Sequence, residues 1–148
     1  MEIDGLLTEL ECALKTEKGD LDRRVAVYNR IVALAAAYLD IPHPVACPQL
    51  VPVDDVRGNN YNPNQVAPPE MRLLKLSIRK DGFTMPVVVA RDDKGHVVVD
   101  GFHRRQVAKM DAQIRKSLGG YLPVVRLDKS IEDRITSTVR HNMARGTH

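Results

Sequence analysis

The chain contains no tryptophan, and aromatic residues make up only 4% of its 148 residues. Its core must therefore be aliphatic, and the repeated aromatic platforms on which single-stranded nucleic acids stack are not expected. Cysteine is also scarce. Cys12 and Cys47 are far apart and lack a C-x-x-C spacing, which indicates two ordinary thiols in a reducing compartment rather than a disulfide framework.

Long apolar runs are missing as well. No run approaches the roughly 20 residues that a membrane-spanning helix needs, and the N-terminus lacks the charged-then-apolar pattern of a signal peptide. We therefore expect a cytoplasmic protein with no membrane partner. Hydrophobic residues amount to 43%, so the chain is long and apolar enough for one globular domain with a helical annex.

Charge is unevenly distributed along the sequence, although the net charge is only +3. Residues 1–40 contain eight Asp/Glu against five Lys/Arg, whereas residues 101–148 contain ten Lys/Arg against four Asp/Glu. A basic C-terminal third suits a phosphate-bearing partner, either a nucleotide or a nucleic acid. The alternative is a solvated charged surface without a ligand.

Apolar residues recur at helical spacing in two N-terminal segments. The first helix is predicted to run to about Lys15, and the second to begin after Asp20 as its N-cap and to end at Ile41-Pro42. We interpret residues 1–41 as a helical hairpin that packs on the rest of the chain or on a second copy of it. The Pro-rich residues 42–50 are predicted to be a linker.

The pattern from Val51 onward predicts an α+β domain at residues 51–148, with a small mixed sheet and flanking helices. Its predicted elements, in order, are a strand at Val51–Val56, a helix from Pro68-Pro69 to Gly82, a hairpin of Pro86–Ala90 and His96–Val99, a helix carrying Val107, Met110 and Ile114 that ends at Gly119-Gly120, a strand at Leu122–Leu127, and a last helix after the capping box at Ser130.

The junction after Val99 carries the clearest chemical signal. Asp100-Gly101 leads from a predicted buried strand into a helix whose first turn contains Arg104 and Arg105. Glycine permits close backbone approach to a ligand, and the helix start adds amide donors and partial positive charge. Arginine forks suit phosphate. The junction therefore predicts a phosphate site, and the alternative is a structural corner with exposed arginines.

Six short motifs in this order resemble the N-terminal domain of the ParB family, which shares its fold with sulfiredoxin. The resemblance covers about Val51 to Arg145. The motifs are Asn62-Pro63-Asn64, Leu73-Leu74-x-Leu76-Ser77-Ile78 ahead of Gly82, Pro86-Val87-Val88-Val89, the glycine-arginine corner, Leu122-Pro123-Val124-Val125, and Asn142-Met143-Ala144-Arg145.

The resemblance implies a nucleoside triphosphate, CTP or ATP, at the corner. The family's corner reads Gly-Glu-Arg-Arg-x-Arg-Ala, which Gly101 and Arg104 match and from which Phe102, His103 and Gln106 depart. The implied phosphate-binding residues are Gly101, Phe102, His103, Arg104, Arg105, Asn142 and Arg145. By the same resemblance the nucleobase lies near Thr84 and Met85.

The residues that would bind magnesium beside that nucleotide depart from the family's pattern. The family's later motif is Glu-Asn-x-x-Arg, and His141 stands where the carboxylate belongs. Histidine suits magnesium poorly, so metal-dependent hydrolysis is not expected, and His141 and Asn142 are the candidate ligands if a metal binds. Sulfiredoxin chemistry is excluded because Phe102 occupies the position of the nucleophilic cysteine.

The resulting hypothesis is a nucleotide-controlled, DNA-associated regulator from a bacterium or phage. Its corner looks most like the IbrB-type transcriptional coactivator branch. The partners implied are a nucleotide, a second copy of the chain, and DNA contacted through a helix-turn-helix segment beyond His148. Three alternatives stay open: an NTPase or a free-serine-type kinase with Asp54, Asp55 or Asp100 as general base, a ParB-like nuclease, and a pure interaction module.

Overall fold

The computed structural model describes residues 2–17, 19–58, 68–128 and 131–144, with only the backbone given for 68 and 131–135. The helices are α1 (Ile3–Thr16), α2 (Leu21–Leu39), α3 (Pro68–Asp81), α4 (Phe102–Met110), α5 (Ala112–Ser117) and α6 (Ile131–Ala144). The strands are β1 (Gln49–Pro52), β2 (Val56–Arg57), β3 (Val87–Asp92), β4 (Gly95–Asp100) and β5 (Tyr121–Leu127), with single 3₁₀ turns at Pro44–Ala46 and Val53–Asp55.

The five strands form one mixed sheet in the order β1-β5-β3-β4-β2. β3 pairs antiparallel with β4 through the predicted hairpin, and β1 pairs antiparallel with β5. β3 runs parallel to β5, and β2 runs parallel to β4. The predicted α+β class with a small mixed sheet, flanking helices and two helices in front of it is confirmed. Among the described residues, no helix is both long and apolar enough to cross a membrane.

The core is aliphatic, as the scarcity of aromatics predicted. Valines dominate it because β-branched side chains pack well on a pleated surface. The fully buried cluster joins strand residues to α4, and it consists of Val53, Val56, Val87, Val89, Val98, Ala108, Leu122 and Val124. Helix α6 packs on the sheet along β4.

Two predicted elements are divided in the structure. The predicted strand Val51–Val56 is interrupted by the turn Val53–Asp55, and β1 begins at Gln49, inside the predicted linker. The predicted helix after Gly101 breaks at Asp111, which caps α5 by accepting a hydrogen bond from the Ile114 amide (3.0 Å). Met110 is the last residue of α4 and is 73% exposed, whereas Val107 and Ile114 are buried.

Helix α2 is joined to the sheet through a polar contact. Asn29 donates to the carbonyl oxygen of Leu50 (2.8 Å) and accepts from the Leu50 amide (2.9 Å). This side chain therefore pairs with the edge strand β1 as a further strand would, and covers an edge that could otherwise pair with another chain. Tyr121 at the start of β5 also donates to Asp22 of α2. Helix α1, in contrast, contributes no buried residue.

The carboxylate of Asp111 is expected to stabilise the fold in a pH-dependent way. Its second oxygen pairs with Arg79 of α3 (2.5 Å), and the hydrogen bond from the Ile114 amide, with the nearby Arg79, lowers the pKa of Asp111. A lowered pKa means that this stabilisation is present above the unfolded value of about 3.9 and is lost as pH falls through the folded value.

We expect Asp111→Ala to lower the free energy of unfolding by about 1–2 kcal/mol at pH 7, measured by urea denaturation, and the deficit to be smaller at about pH 2, because protonation removes the part that depends on charge. Asp111→Asn is the matched control, because asparagine still caps a helix but carries no charge. An equal deficit of Asp111→Ala at both pH values would contradict the assignment.

Candidate functional site

The corner between β4 and α4 is built around Gly101. Its φ angle is +97°, in the left-handed region that favours glycine. A Cβ at this position would lie 2.7 Å from Nη2 of Arg104 and 3.3 Å from Cγ2 of Val87. The first helical hydrogen bond runs from the Arg105 amide to the Gly101 carbonyl (2.9 Å). Backbone conformation and lack of space thus both require glycine at the start of α4.

Arg104 folds back over this glycine. Its Nη2 donates to the carbonyl oxygen of Pro86 (3.2 Å), immediately before β3. Because Asp100 at the end of β4 pairs with Val88 near the start of β3, the half-buried guanidinium group lies at one end of the sheet, beside the N-terminus of α4. It is therefore held close to the backbone amides of the first helical turn.

Arg105 has a structural contact in the same region. Its Nε and Nη2 both donate to the carbonyl oxygen of Val56, at 2.9 and 2.7 Å. This fork ties α4 to the short edge strand β2. Burial lowers the pKa of Arg105, although an arginine remains protonated at any physiological pH. Its predicted role toward phosphate stays a prediction.

The rings of Phe102 and His103 contact each other in the first turn of α4, directly before the two arginines in the sequence. Their rings meet edge to face, with centroids 5.3 Å apart and planes at 84°. Gly58, one residue after β2, lies under the Phe102 ring so closely that a Cβ there would be 2.7 Å from Cε2 of Phe102. The Asn62-Pro63-Asn64 motif lies outside the described residues.

Helix α6 presents polar side chains to the sheet. Ser137, Thr138 and Asn142 are buried, Asn142 to 5% exposure, while α6 packs along β4. His141 is half-buried, and its Nδ1 lies 2.6 Å from the carbonyl oxygen of Ser137. Arg145 lies outside the described residues.

Of the three candidate carboxylates, Asp54 and Asp55 are neighbours in the turn Val53–Asp55, and Asp100 lies apart from them at the other end of β4. Asp100 is buried directly before Gly101. Asp54 is exposed and accepts two hydrogen bonds from Arg115 of α5, at 3.2 and 2.8 Å. Those bonds lower the pKa of Asp54, the opposite of the tuning that a general base near pH 7 needs.

Asp55 and His96 lie at the other end of β4. The carbonyl oxygen of Asp55 is 3.9 Å from a Cβ built at Gly95, and β4 places His96 four residues, about 13 Å, from Asp100. Partial burial, with Arg126 and Arg91 nearby, lowers the pKa of His96. In the parts of the chain that the structure describes, no three His, Cys, Asp or Glu side chains form a group that could hold a metal ion.

The predicted base-binding residues, Thr84 and Met85, are exposed in the segment between α3 and β3. They directly precede Pro86, whose carbonyl oxygen accepts from Arg104. Sequence reasoning missed Gly58 as part of this site, because its contact with Phe102 joins segments 44 residues apart. The available signal was the order Val56-Arg57-Gly58, in which a glycine follows a short strand. This pattern is common at turns and indicates a close contact only weakly.

Comparison with known proteins supports this architecture. No protein-family model matches the chain. YbdM, an uncharacterised protein of Escherichia coli K12, is 48% identical over 129 residues, which is 86% of this chain and 62% of YbdM. The chain thus spans less than two thirds of the length of that relative.

Two solved structures of the chromosome-partitioning protein ParB from Caulobacter crescentus are similar. The complex with CTP-γ-S has a TM-score of 0.54 at 17% identity, covering 68% of this chain and 55% of that one. The complex with the centromeric parS site has a TM-score of 0.51 at 14% identity, covering 66% and 48%. The fold is ParB/sulfiredoxin-like. At these identities the likeness concerns the ParB-like fold alone.

The contact between Gly58 and Phe102 gives a test of how tightly the corner between β4 and α4 is packed. Gly58→Ala is expected to cost about 1–3 kcal/mol of unfolding free energy, because its methyl group overlaps the Phe102 ring. Adding Phe102→Leu should recover part of that loss, measured as a coupling of at least about 0.5 kcal/mol in a double-mutant cycle. Strictly additive losses would show that the two residues do not touch.

Proposed function

We propose that residues 51–148 bind a nucleoside triphosphate, CTP or ATP, and serve as the nucleotide-binding regulatory domain of a DNA-associated protein. The observation that carries this proposal is the placement of the Arg104 guanidinium group over the left-handed Gly101 at the N-terminus of α4. Amide donors, helix dipole and arginine fork converge there on one small volume, which is the combination that polyphosphates favour.

The proposed triphosphate contacts are assigned as follows. The backbone of Gly101, Phe102 and His103 with the Arg104 side chain would hold the phosphates, and Arg105 would add charge from its position against β2. Asn142 and Arg145 would contact them from α6 and beyond, while Thr84 and Met85 would lie near the base. If magnesium accompanies the nucleotide, Asn142 and His141 are its proposed protein contacts.

The proposed biological setting is transcriptional or partition control in the cytoplasm of a bacterium or phage-infected cell. A ParB with this fold binds CTP-γ-S, and in a second structure it is complexed to parS DNA. We infer that DNA and a second copy of the chain are partners here too. Among the branches, we propose the IbrB-type coactivators, because Phe102 and His103 replace the Glu-Arg of the partition-type corner.

Phosphate transfer to a small hydroxyl compound is the second candidate function. It is favoured by the burial of Asp100 directly beside the proposed phosphate cradle, where a carboxylate could accept a hydroxyl proton. On this hypothesis Asp100→Asn abolishes transfer of labelled γ-phosphate to free serine or a similar acceptor but keeps nucleotide binding. Asp93→Asn, in the exposed turn between β3 and β4, is the matched control. No transfer by the unaltered protein would remove this candidate.

Nucleotide binding is tested by titrating CTP, ATP, GTP and ADP, with and without magnesium, while following thermal unfolding. A nucleotide at 100 times its Kd should stabilise the unaltered protein by about 2.7 kcal/mol. Arg104→Ala should weaken binding at least tenfold, because it removes the arginine fork from the cradle. Binding constants are then measured by isothermal titration calorimetry.

Arg91→Ala is the matched control. Arg91 is an exposed arginine on β3, and it pairs with His96 at the end of the sheet away from the corner. This variant has the same change in net charge, so it should bind the nucleotide as the unaltered protein does. The proposal fails if no nucleotide stabilises the protein, or if both variants lose affinity equally.

A further inference from the structure

Helix α6 turns polar side chains toward the sheet and apolar side chains toward solvent. Its described inward side chains, Ser137, Thr138 and Asn142, are polar and buried, whereas Val139 and Met143 are 37% and 75% exposed. A helix on a sheet ordinarily buries its apolar stripe. The outer face of α6 instead forms a shallow open surface, with about 640 Å³ of space above it, lined by Thr136, Val139, Arg140, Met143 and Ala144 and called the α6 groove below. An apolar groove of this kind favours an apolar occupant.

Helix α1 carries an apolar stripe that no described residue of its own chain covers well. The stripe follows the i, i+3, i+4, i+7 spacing of one helix face and consists of Ile3, Leu6, Leu7, Leu10 and Leu14, all 37–60% exposed. In the described structure α1 has no buried residue. A 14-residue helix with such a face is unstable alone in water, so it needs a surface to pack on.

The charges of the two surfaces are complementary. The side chains of Glu2, Asp4 and Glu9 flank the α1 stripe, and they make no ion pair within the described residues. Arg140 in the α6 groove donates to the Ser137 hydroxyl (3.2 Å) and meets no carboxylate within the same described part of the chain. Packing α1 on α6 would bring these opposite charges to the rim of an apolar contact.

Other occupants fit less well. Two α1 helices packed together would oppose acidic flanks, which is destabilising. A membrane surface attracts helices whose polar face is rich in lysine and arginine, whereas α1 has one lysine, Lys15, already paired with Glu11 (3.1 Å). The surface of this chain that matches the α1 stripe is therefore the α6 groove, and α1 of the same copy contributes no residue to its lining.

We propose that α1 of one copy of this chain docks in the α6 groove of a second copy, and that the exchange is reciprocal. This inference rests on the proposed homodimer and specifies its contact. Reciprocity gives a two-fold symmetric interface with two identical helix–groove contacts. Two such contacts bury twice the area of one, and a stable interface needs roughly 800 Å² per partner.

Cross-linking between single-cysteine chains tests the contact directly. In a Cys12→Ser, Cys47→Ser background, Leu10→Cys is placed on an untagged chain and Met143→Cys on a longer tagged chain. A short bismaleimide linker added to the mixture should give mainly the mixed dimer, recognised by its mass. Leu34→Cys, at a 72% exposed position of α2 outside both surfaces, replaces Leu10→Cys in the control and should give little product.

Any main cross-linked product other than the mixed dimer would overturn the proposal. Untagged homodimers from Leu10→Cys would mean α1 against α1, and tagged homodimers from Met143→Cys would mean α6 against α6. A chain carrying both cysteines that links only within itself would mean that α1 reaches its own α6. A monomer at every concentration in analytical ultracentrifugation would remove the homodimer itself, while nucleotide binding is measured separately.

A second measurement does not depend on the cysteine variants reacting with the cross-linker. Leu7→Asp and Met143→Asp should each weaken dimerisation at least tenfold in ultracentrifugation, with unchanged circular dichroism. Leu34→Asp is the matched control, because it puts the same charge on a leucine that is 72% exposed, close to the 75% of Met143, and should leave dimerisation unaltered. Equal weakening by all three variants would contradict the proposed contact.

Discussion

The site depends on a single backbone constraint, the left-handed conformation at Gly101. That conformation turns the chain from the end of β4 into α4 within one residue, and it leaves room above the backbone only because glycine has no side chain. The Arg104 guanidinium group occupies this room and reaches the Pro86 carbonyl. Strand, helix and arginine therefore meet at this residue, and a side chain there would overlap the Arg104 guanidinium group and crowd Val87 of β3.

Side chains from helices complete both edges of the sheet. Asn29 pairs with the backbone of Leu50 on β1, and Arg105 forks onto the Val56 carbonyl of β2. Such contacts satisfy backbone groups that would otherwise be exposed at sheet edges. Both edge strands are short, with four residues in β1 and two in β2. Each of them receives a polar side chain from a helix of the same chain.

Much of this architecture could be predicted from the sequence because local signals agreed with the fold. The glycines at 82, 119 and 120 have positive φ angles where helices end, and Asp20 caps α2 through the Arg23 amide (2.8 Å). The break at Asp111 has a local signal, an aspartate that caps the Ile114 amide three residues later, and the continuous apolar spacing hid it. The Arg79–Asp111 and Asp54–Arg115 pairs and the packing of Gly58 on Phe102 were missed because their partners are distant in sequence. Contacts between remote segments carry no local periodicity, so composition and spacing cannot reveal them.

The polar inner face of α6 has a consequence for local opening. Detaching a helix costs mainly the transfer of its buried apolar groups to water, and residues 136–144 bury hydroxyl and amide groups instead. Water can replace much of what those groups lose. Amide hydrogens in this part of α6 should therefore exchange with solvent faster than those of α4, whose Val107 and Ala108 are anchored in the aliphatic core.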